Sequence, residues 1–230
     1  MLNRLREDLG CYTFGRQLGR VTRYVGLIAE ASGLDAFVGE LCKIWHNQQE
    51  EIDAEVVGFR DGFVLLMPYG NSRGVTTGAR VSGTGEFSTM GVSAEFIGRV
   101  IDPFGNPLDG RTLNVELTKA SLHRDPINPL ERNRISRRLN TGVAKVDIFT
   151  PLGRGQRLGV FSGSGVGKST LLGMMASQSS ADVNVIAMIG ERGREVKDFI
   201  DESLGEKGLA KSVVIVATAE QPPIVRYRAL

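Results

Sequence analysis

A chain of 230 residues that is 41% hydrophobic can bury a sizeable core, most readily as two compact units. A net charge of +2 is too weak to imply a nucleic-acid partner, and no apolar run approaches the roughly 20 residues that span a bilayer. The opening MLNRLREDLG lacks the apolar centre of a secretory signal, and Cys11 and Cys42 are too few for a disulfide framework or a zinc site. A cytoplasmic protein with ordinary thiols is expected, and His46 and His123, each isolated, are read as structural or surface residues.

Residues 1–19 place Leu2, Leu5, Leu9, Phe14 and Leu18 on an approximate helical stripe among Arg4, Arg6, Glu7 and Arg16. So short a helix is marginal alone in water and needs a surface to lie against, its own domain or another protein. Residues 20–88 change to short β-rich segments: Val21–Ala29, Leu41–Ile44, Ile52–Phe59, Phe63–Pro68 and Arg80–Thr84. Arg60-Asp61-Gly62 predicts a tight turn, and the spacing of the strands predicts a small closed barrel. Aromatic residues there are sparse and not interleaved with Lys or Arg, which argues for a structural or oligomer-forming barrel over an RNA-binding one.

Residues 89–150 read as a junction and the start of a second domain. Pro103, Gly105, Pro107 and Gly110 punctuate Gly98–Gly110 with turns, and His123–Arg138 is rich in arginine. That second stretch fits a solvated linker, a polyanion site or a contact with a neighbouring subunit. Over residues 151–230 the expected elements alternate: strand Gln156–Phe161, helix Thr170–Ser177, strand Val183–Ile189, helix Arg194–Leu204, strand Val213–Ala217, and a helix opening at Pro222-Pro223. Such alternation builds a parallel sheet covered by helices, and the apolar runs VNVIAMI and SVVIVA suit strands buried on both faces.

Between the first strand and helix lies Ser162-Gly163-Ser164-Gly165-Val166-Gly167-Lys168-Ser169-Thr170. Alternating glycines let successive N–H groups approach a polyphosphate, and a helix N-terminus adds its partial positive charge. Lys168 then reaches the β/γ oxygens, and Ser169 ligates Mg²⁺. Ser162 stands where the strict phosphate-loop pattern has its first glycine; it is small enough for the turn. Glycine spacing alone also fits a dinucleotide fold, but Lys168 and Ser169 do not belong to that turn. The strand VIAMI runs into Gly190-Glu191-Arg192, and a parallel sheet brings its strand ends to one edge. Glu191 is thereby expected to orient the attacking water and Arg192 to offset charge on the transferring phosphoryl group. The alternative is a charged loop in which Glu191 pairs with an arginine.

The segments PINPLERNRI, PLGRGQRLGVFSGSGVGKSTLLGMM, IGERGREVKDFI and VVIVATAEQPPIVRYRA resemble the protein-export ATPases of flagellar and virulence type III secretion systems, relatives of the catalytic subunit of rotary ATP synthases. The resemblance implies an α/β P-loop NTPase with an incomplete RecA-like parallel sheet, preceded by an N-terminal β-barrel. It implies ATP and Mg²⁺ as cofactors and a homo-hexameric ring in the intact parent. A regulatory stalk protein would bind through residues 1–19, and exported proteins and chaperones would be met at the membrane export gate, peripheral to the inner membrane. No direct nucleic-acid contact is implied. Gly163, Ser164, Gly165, Val166, Gly167, Lys168, Ser169 and Thr170 match the family's phosphate loop, Glu191 its catalytic carboxylate and Arg192 the adjoining γ-phosphate contact. The family's arginine finger, adenine clamp and Mg²⁺-supporting aspartate have no counterpart before Leu230, so this polypeptide is expected to bind ATP weakly and to hydrolyse it poorly. Three other readings stay open on sequence: a rotary synthase subunit, a hexameric RNA translocase, and a nucleotide-binding assembly module without catalysis.

Overall fold

The structure, a computed structural model, describes residues 18–46, 50–70, 72–113, 115–122, 126–163 and 165–230. The chain divides into two compact units, Met1–Ser88 and Thr89–Leu230. The helix expected over residues 1–19 lies outside the described residues as far as 17. Its last two positions, Leu18 and Gly19, belong instead to a strand, because they pair with Ser82 and Val81 across the first unit.

That unit is a closed six-stranded barrel. Strands β1 (Leu18–Val25), β2 (Ile28–Ser32), β3 (Glu40–His46), β4 (Glu50–Arg60), β5 (Phe63–Pro68) and β6 (Arg80–Phe87) pair antiparallel in the order β1-β2-β5-β4-β3-β6, with β6 returning to β1. Closure leaves no unpaired edge. Alternation puts Val64 and Leu66 of β5 inside with Val21, Ile44, Val56 and Val81, and the small Ala29, Ala31 and Ala54 fit the narrow interior. The segment Val21–Ala29, expected as one strand, is two. Val25 pairs with Ile28 across Gly26-Leu27, so the chain reverses inside the apolar run. At the other expected turn Arg60 pairs with Phe63, and Asp61 and Gly62 both take positive φ (+51° and +80°), the backbone of a primed hairpin turn.

Two charged or reactive groups of this unit are buried, Glu30 on the outer face of the barrel beneath two arginines and Cys42 in its core. Glu30 is buried, receiving a forked pair of hydrogen bonds from Arg23 at 3.0 and 2.9 Å and another from Arg60. The Arg23 bonds, then those of Arg60, keep its carboxyl below the usual range. Burial, reinforced by the charge of Glu40, pushes the Cys42 thiol up to about 12, which makes it an inert core residue.

The second unit is α/β. Strand β7 (Thr89–Val92) pairs with β9 (Thr118–Ser121), and β10 (Arg138–Leu139) with β11 (Leu152–Gly153), beside helix α1 (Ala144–Phe149). The main sheet is parallel, in the order β12-β13-β8, from β8 (Arg99–Ile101), β12 (Asn184–Ile189) and β13 (Ser212–Ala217). Helix α2 (Lys168–Gln178), helix α3 (Gly193–Asp198) with the π-helical segment Phe199–Leu204 that continues it, and α4 (Gly205–Leu209) cover one face. The core there joins Val196, Phe199 and Leu204 to Val100, Val214 and Val216, with Ile186 and Met188 packed against it. A short α5 (Pro223–Arg228) follows the Pro-Pro pair; Arg228 donates to the carbonyls of Pro103 (3.0 Å) and Thr89 (2.7 Å) and covers the Phe104 ring at 4.8 Å.

Three expectations are corrected in this unit. The turn-rich stretch Gly98–Gly110 is more than a junction: Arg99–Ile101 is the third strand of the sheet, fixed by a forked Arg99–Asp109 pair at 2.6 and 2.8 Å. Residues 156–161 form no strand. Strand geometry is stable only when a neighbour accepts its hydrogen bonds, and none of the described strands pairs with this run, whose Phe161 is 96% exposed. Strand β12 is buried on one face only: Ile186 and Met188 turn to the helices, while Val185 on the other face is 69% exposed.

Candidate functional site

The phosphate-loop sequence forms an exposed turn that feeds directly into α2. Gly165 and Gly167 take φ of +75° and +93°, and nothing lies within 4 Å of where their Cβ atoms would be. Their role is conformational rather than spatial, since only glycine takes this backbone without strain. Gly167 caps α2 in the left-handed conformation, and the first intrahelical bond runs from Leu171 N–H to its carbonyl. The amides of Lys168, Ser169 and Thr170 therefore precede the helical ladder and need outside acceptors. This is the donor array that an anion fills at a helix N-terminus. Helix α2 starts two residues earlier than its sequence pattern predicts, because Lys168 and Ser169 serve both loop and helix.

The second wall begins where β12 ends. Gly190 N–H donates to Ala217 O at 2.7 Å and Ala219 N–H donates to Glu191 O at 3.1 Å, so the main chain around Glu191 is tied to the exit of β13. The two walls enclose a cavity of about 570 Å³, within the ~300–1,000 Å³ range of small-molecule sites. The loop and first turn of α2 contribute Ser162, Gly163, Gly165, Val166, Gly167, Lys168, Ser169 and Thr170 to its lining, and the chain from β12 onward contributes Met188, Glu191, Glu195, Asp198, Phe199, Glu202 and Ser203. Ser164 lies outside the described residues. Arg192 does not line the cavity; its guanidinium lies 3.7 Å from Glu195 Oε1 and is largely exposed. Among the described residues neither Lys168 nor Glu191 forms an ion pair, so the charged-loop alternative, with Glu191 paired to an arginine, is not what this structure contains.

Glu195, Asp198 and Glu202 were not singled out on sequence, although their signal was present. With Glu191 they recur at steps of four, three and four, the spacing of one helical face. A polyphosphate in this cavity would meet the N–H donors and Lys168 as well as these carboxylates. An accompanying hard cation would relieve that repulsion, and the Ser169 hydroxyl and these carboxylates are oxygen donors of the type Mg²⁺ takes. Among the described residues no group of three or more His, Cys, Asp or Glu side chains could hold a metal ion.

Comparison with known proteins follows the same division of the chain. Residues 142–230 match the nucleotide-binding domain of the ATP synthase alpha/beta family, and residues 21–85 match that family's beta-barrel domain. A flagellum-specific ATP synthase of Bacillus subtilis is 46% identical over 216 residues, covering 93% of this chain and 49% of that protein. A type 3 secretion system ATPase of Xanthomonas euvesicatoria is 40% identical over 226 residues, covering 98% and 51%. The assembled ATPase EscN of the enteropathogenic E. coli type III secretion system superposes with a TM-score of 0.80 at 36% identity, over 92% of this chain and 50% of EscN. EscN in complex with its central stalk EscO gives a TM-score of 0.81. The chain thus spans about half the length of the curated relatives it matches.

Proposed function

Since the chain belongs to the ATP synthase alpha/beta family, we propose that it carries the barrel and nucleotide-binding portions of an ATPase that energises protein export through a flagellar or type III secretion apparatus. The observation that carries this reading is the shared cavity: the phosphate loop and Glu191 line one space. In this reading the free amides of the first turn of α2 and Lys168 hold the nucleotide phosphates, and Gly163, Ser164, Gly165, Val166 and Gly167 shape the cradle. Glu191 orients and polarises the attacking water, an effect of ~10²–10⁴-fold in rate for a well-placed base. Mg²⁺, held by the Ser169 hydroxyl and the nucleotide itself, would neutralise phosphate charge. Thr170 sits close enough along the same turn to contact the nucleotide. Arg192 belongs to the proposal as a γ-phosphate contact that turns inward from its place beside Glu195 when nucleotide is bound.

The assembly proposed with this activity is a ring of six copies through the barrels, a stalk protein on residues 1–19, and exported proteins with their chaperones as the load. Its place is the cytoplasmic side of the inner membrane, held there peripherally; among the described residues no helix is long and apolar enough to cross a membrane. Relatives named for flagella and for type III secretion support export over a rotary synthase. The test is titration of the purified chain with a fluorescent ATP analogue in the presence of Mg²⁺. Lys168→Ala is expected to weaken binding about 10- to 100-fold, the loss of one charged hydrogen-bonding partner. Glu191→Gln is expected to leave affinity within about threefold, because its work is on water rather than phosphate. Wild-type affinity in Lys168→Ala would reject the assignment.

A further inference from the structure

Glycine is a poor choice for a helix interior on propensity alone, yet Gly173 stands in the middle of α2, buried. Close approach supplies the reason. A Cβ at this position would lie 2.5 Å from the Ser203 carbonyl carbon and 2.9 Å from Ser203 Cβ, and nearer still to the carbonyl oxygen. The obstacle is main chain, which cannot swing aside as the end of a side chain can. One turn further along, Ser177 Oγ donates to Gly173 O and lies 3.4 Å from Leu204 O. Gly208 of α4 completes the seam; a Cβ there would meet Leu204 Cδ1 at 2.6 Å and Ser177 Oγ at 3.1 Å.

The seam joins the two walls of the cavity. Helix α2 begins at the phosphate loop, and the π-helical segment it touches continues the helix carrying Glu195, Asp198 and Glu202. Ser203 links the two roles: its main chain is the surface Gly173 meets, and it also lines the cavity. We infer that Gly173 is a positioning residue for nucleotide binding, its missing side chain setting the separation between the phosphate loop and the carboxylate wall. The inference rests on the reading of this cavity as the nucleotide site. An added methyl forces α2 and the π-helical segment apart and widens the cavity without touching Lys168, Ser169 or Glu191.

The experiment compares the wild-type chain with Gly173→Ala, Ser177→Ala and Gly208→Ala, measuring Tm and affinity for a fluorescent ATP analogue with Mg²⁺. Gly173→Ala is expected to weaken affinity about tenfold, the effect of ordinary overpacking strain falling on the bound state. Gly208→Ala, in the same seam but away from the cavity, is expected to lower Tm and leave affinity within about twofold. Unchanged affinity in Gly173→Ala overturns the inference, and so does equal weakening in Gly208→Ala, which would mean general loosening. If Gly173→Ala does not fold, Ser177→Ala decides: it removes the hydroxyl that reaches Leu204 O across the seam without adding atoms, so a weakening of about threefold supports the inference and wild-type affinity overturns it. A wild-type chain that binds no analogue rejects the nucleotide reading itself, and the inference with it.

Discussion

At the scale of single residues, Asp109 is an electrostatic anchor of the second unit. It accepts a forked pair from Arg99 and further bonds from Arg111, and Arg99 at this site is only 9% exposed. Arg99 above all, then Arg111, holds the Asp109 carboxyl far below its ordinary value. Thr141 and Gly142, through their hydrogen bonds, lower Asp147 in the same direction. A depressed carboxylate contributes stability that is complete above its unfolded pKa, about 3.9 for aspartate, and is lost as pH falls towards the folded value. The Tm of the wild type should therefore be flat above about pH 5 and fall steeply below about pH 4. Asp109→Asn should be less stable at pH 7 and should show a shallower fall in acid, as followed by circular dichroism melting across that range. The carboxylates of the cavity wall illustrate what was readable at this scale. Their repeat along Glu191, Glu195, Asp198 and Glu202 was in plain view, but only Glu191 sits at a strand end, where topology already gave it meaning.

At the scale of elements, turns with a chemical signature were legible and those without one were not. Arg60-Asp61-Gly62 was readable because a primed turn needs two positive φ values, which Asp and Gly tolerate. Gly62→Val should cost about 1–2 kcal/mol, since a β-branched residue resists that backbone, and urea denaturation would show it as a lower midpoint at unchanged slope. The reversal at Gly26-Leu27 carries no Asn, Asp or Pro, so the run Val21–Ala29 read as one strand. Strand β8 was hidden for another reason: three residues are too few to display alternation, and the surrounding Pro and Gly residues dominate the pattern. The run 156–161 fails in the opposite sense. Its letters favour a strand, but a strand is a relation between two segments, and the second segment cannot be read from the first. The π-helical segment left no mark at all, because the wider hydrogen-bonding pattern changes no residue type.

At the scale of the molecule, the chain holds two separate cores, one centred on Ile44, Val56 and Leu66 inside the barrel and the other on Val100, Val214 and Phe199 beneath the sheet. The cavity is built entirely from residues of the second unit. Ligand binding should therefore stabilise one unit and leave the other alone, since linkage acts only on the structure that holds the ligand. In calorimetry, ATP with Mg²⁺ should raise the melting of the Thr89–Leu230 unit. Ile44→Ala should remove about 2–5 kcal/mol from the barrel and preserve that ligand-induced rise, whereas Ile101→Ala, at a fully buried strand residue of the sheet, should lose comparable stability from the unit that binds. A ligand-induced rise abolished by Ile44→Ala would show that the units do not melt as separate bodies.

The wide helical turn between Phe199 and Leu204 gives this wall an unusual tolerance. Each bond there spans one residue more than an ordinary α-helical bond, so the segment contains, in effect, a spare amino acid. Excising one solvent-facing residue such as Asp201 would tighten the loop of bonds into a regular helix and keep Val196 and Leu204 facing the sheet. The same excision in α2 would rotate everything beyond it by about 100° and turn the buried face outward. A lineage that loses one codon at this point keeps its fold; a codon lost a few turns away unmakes it.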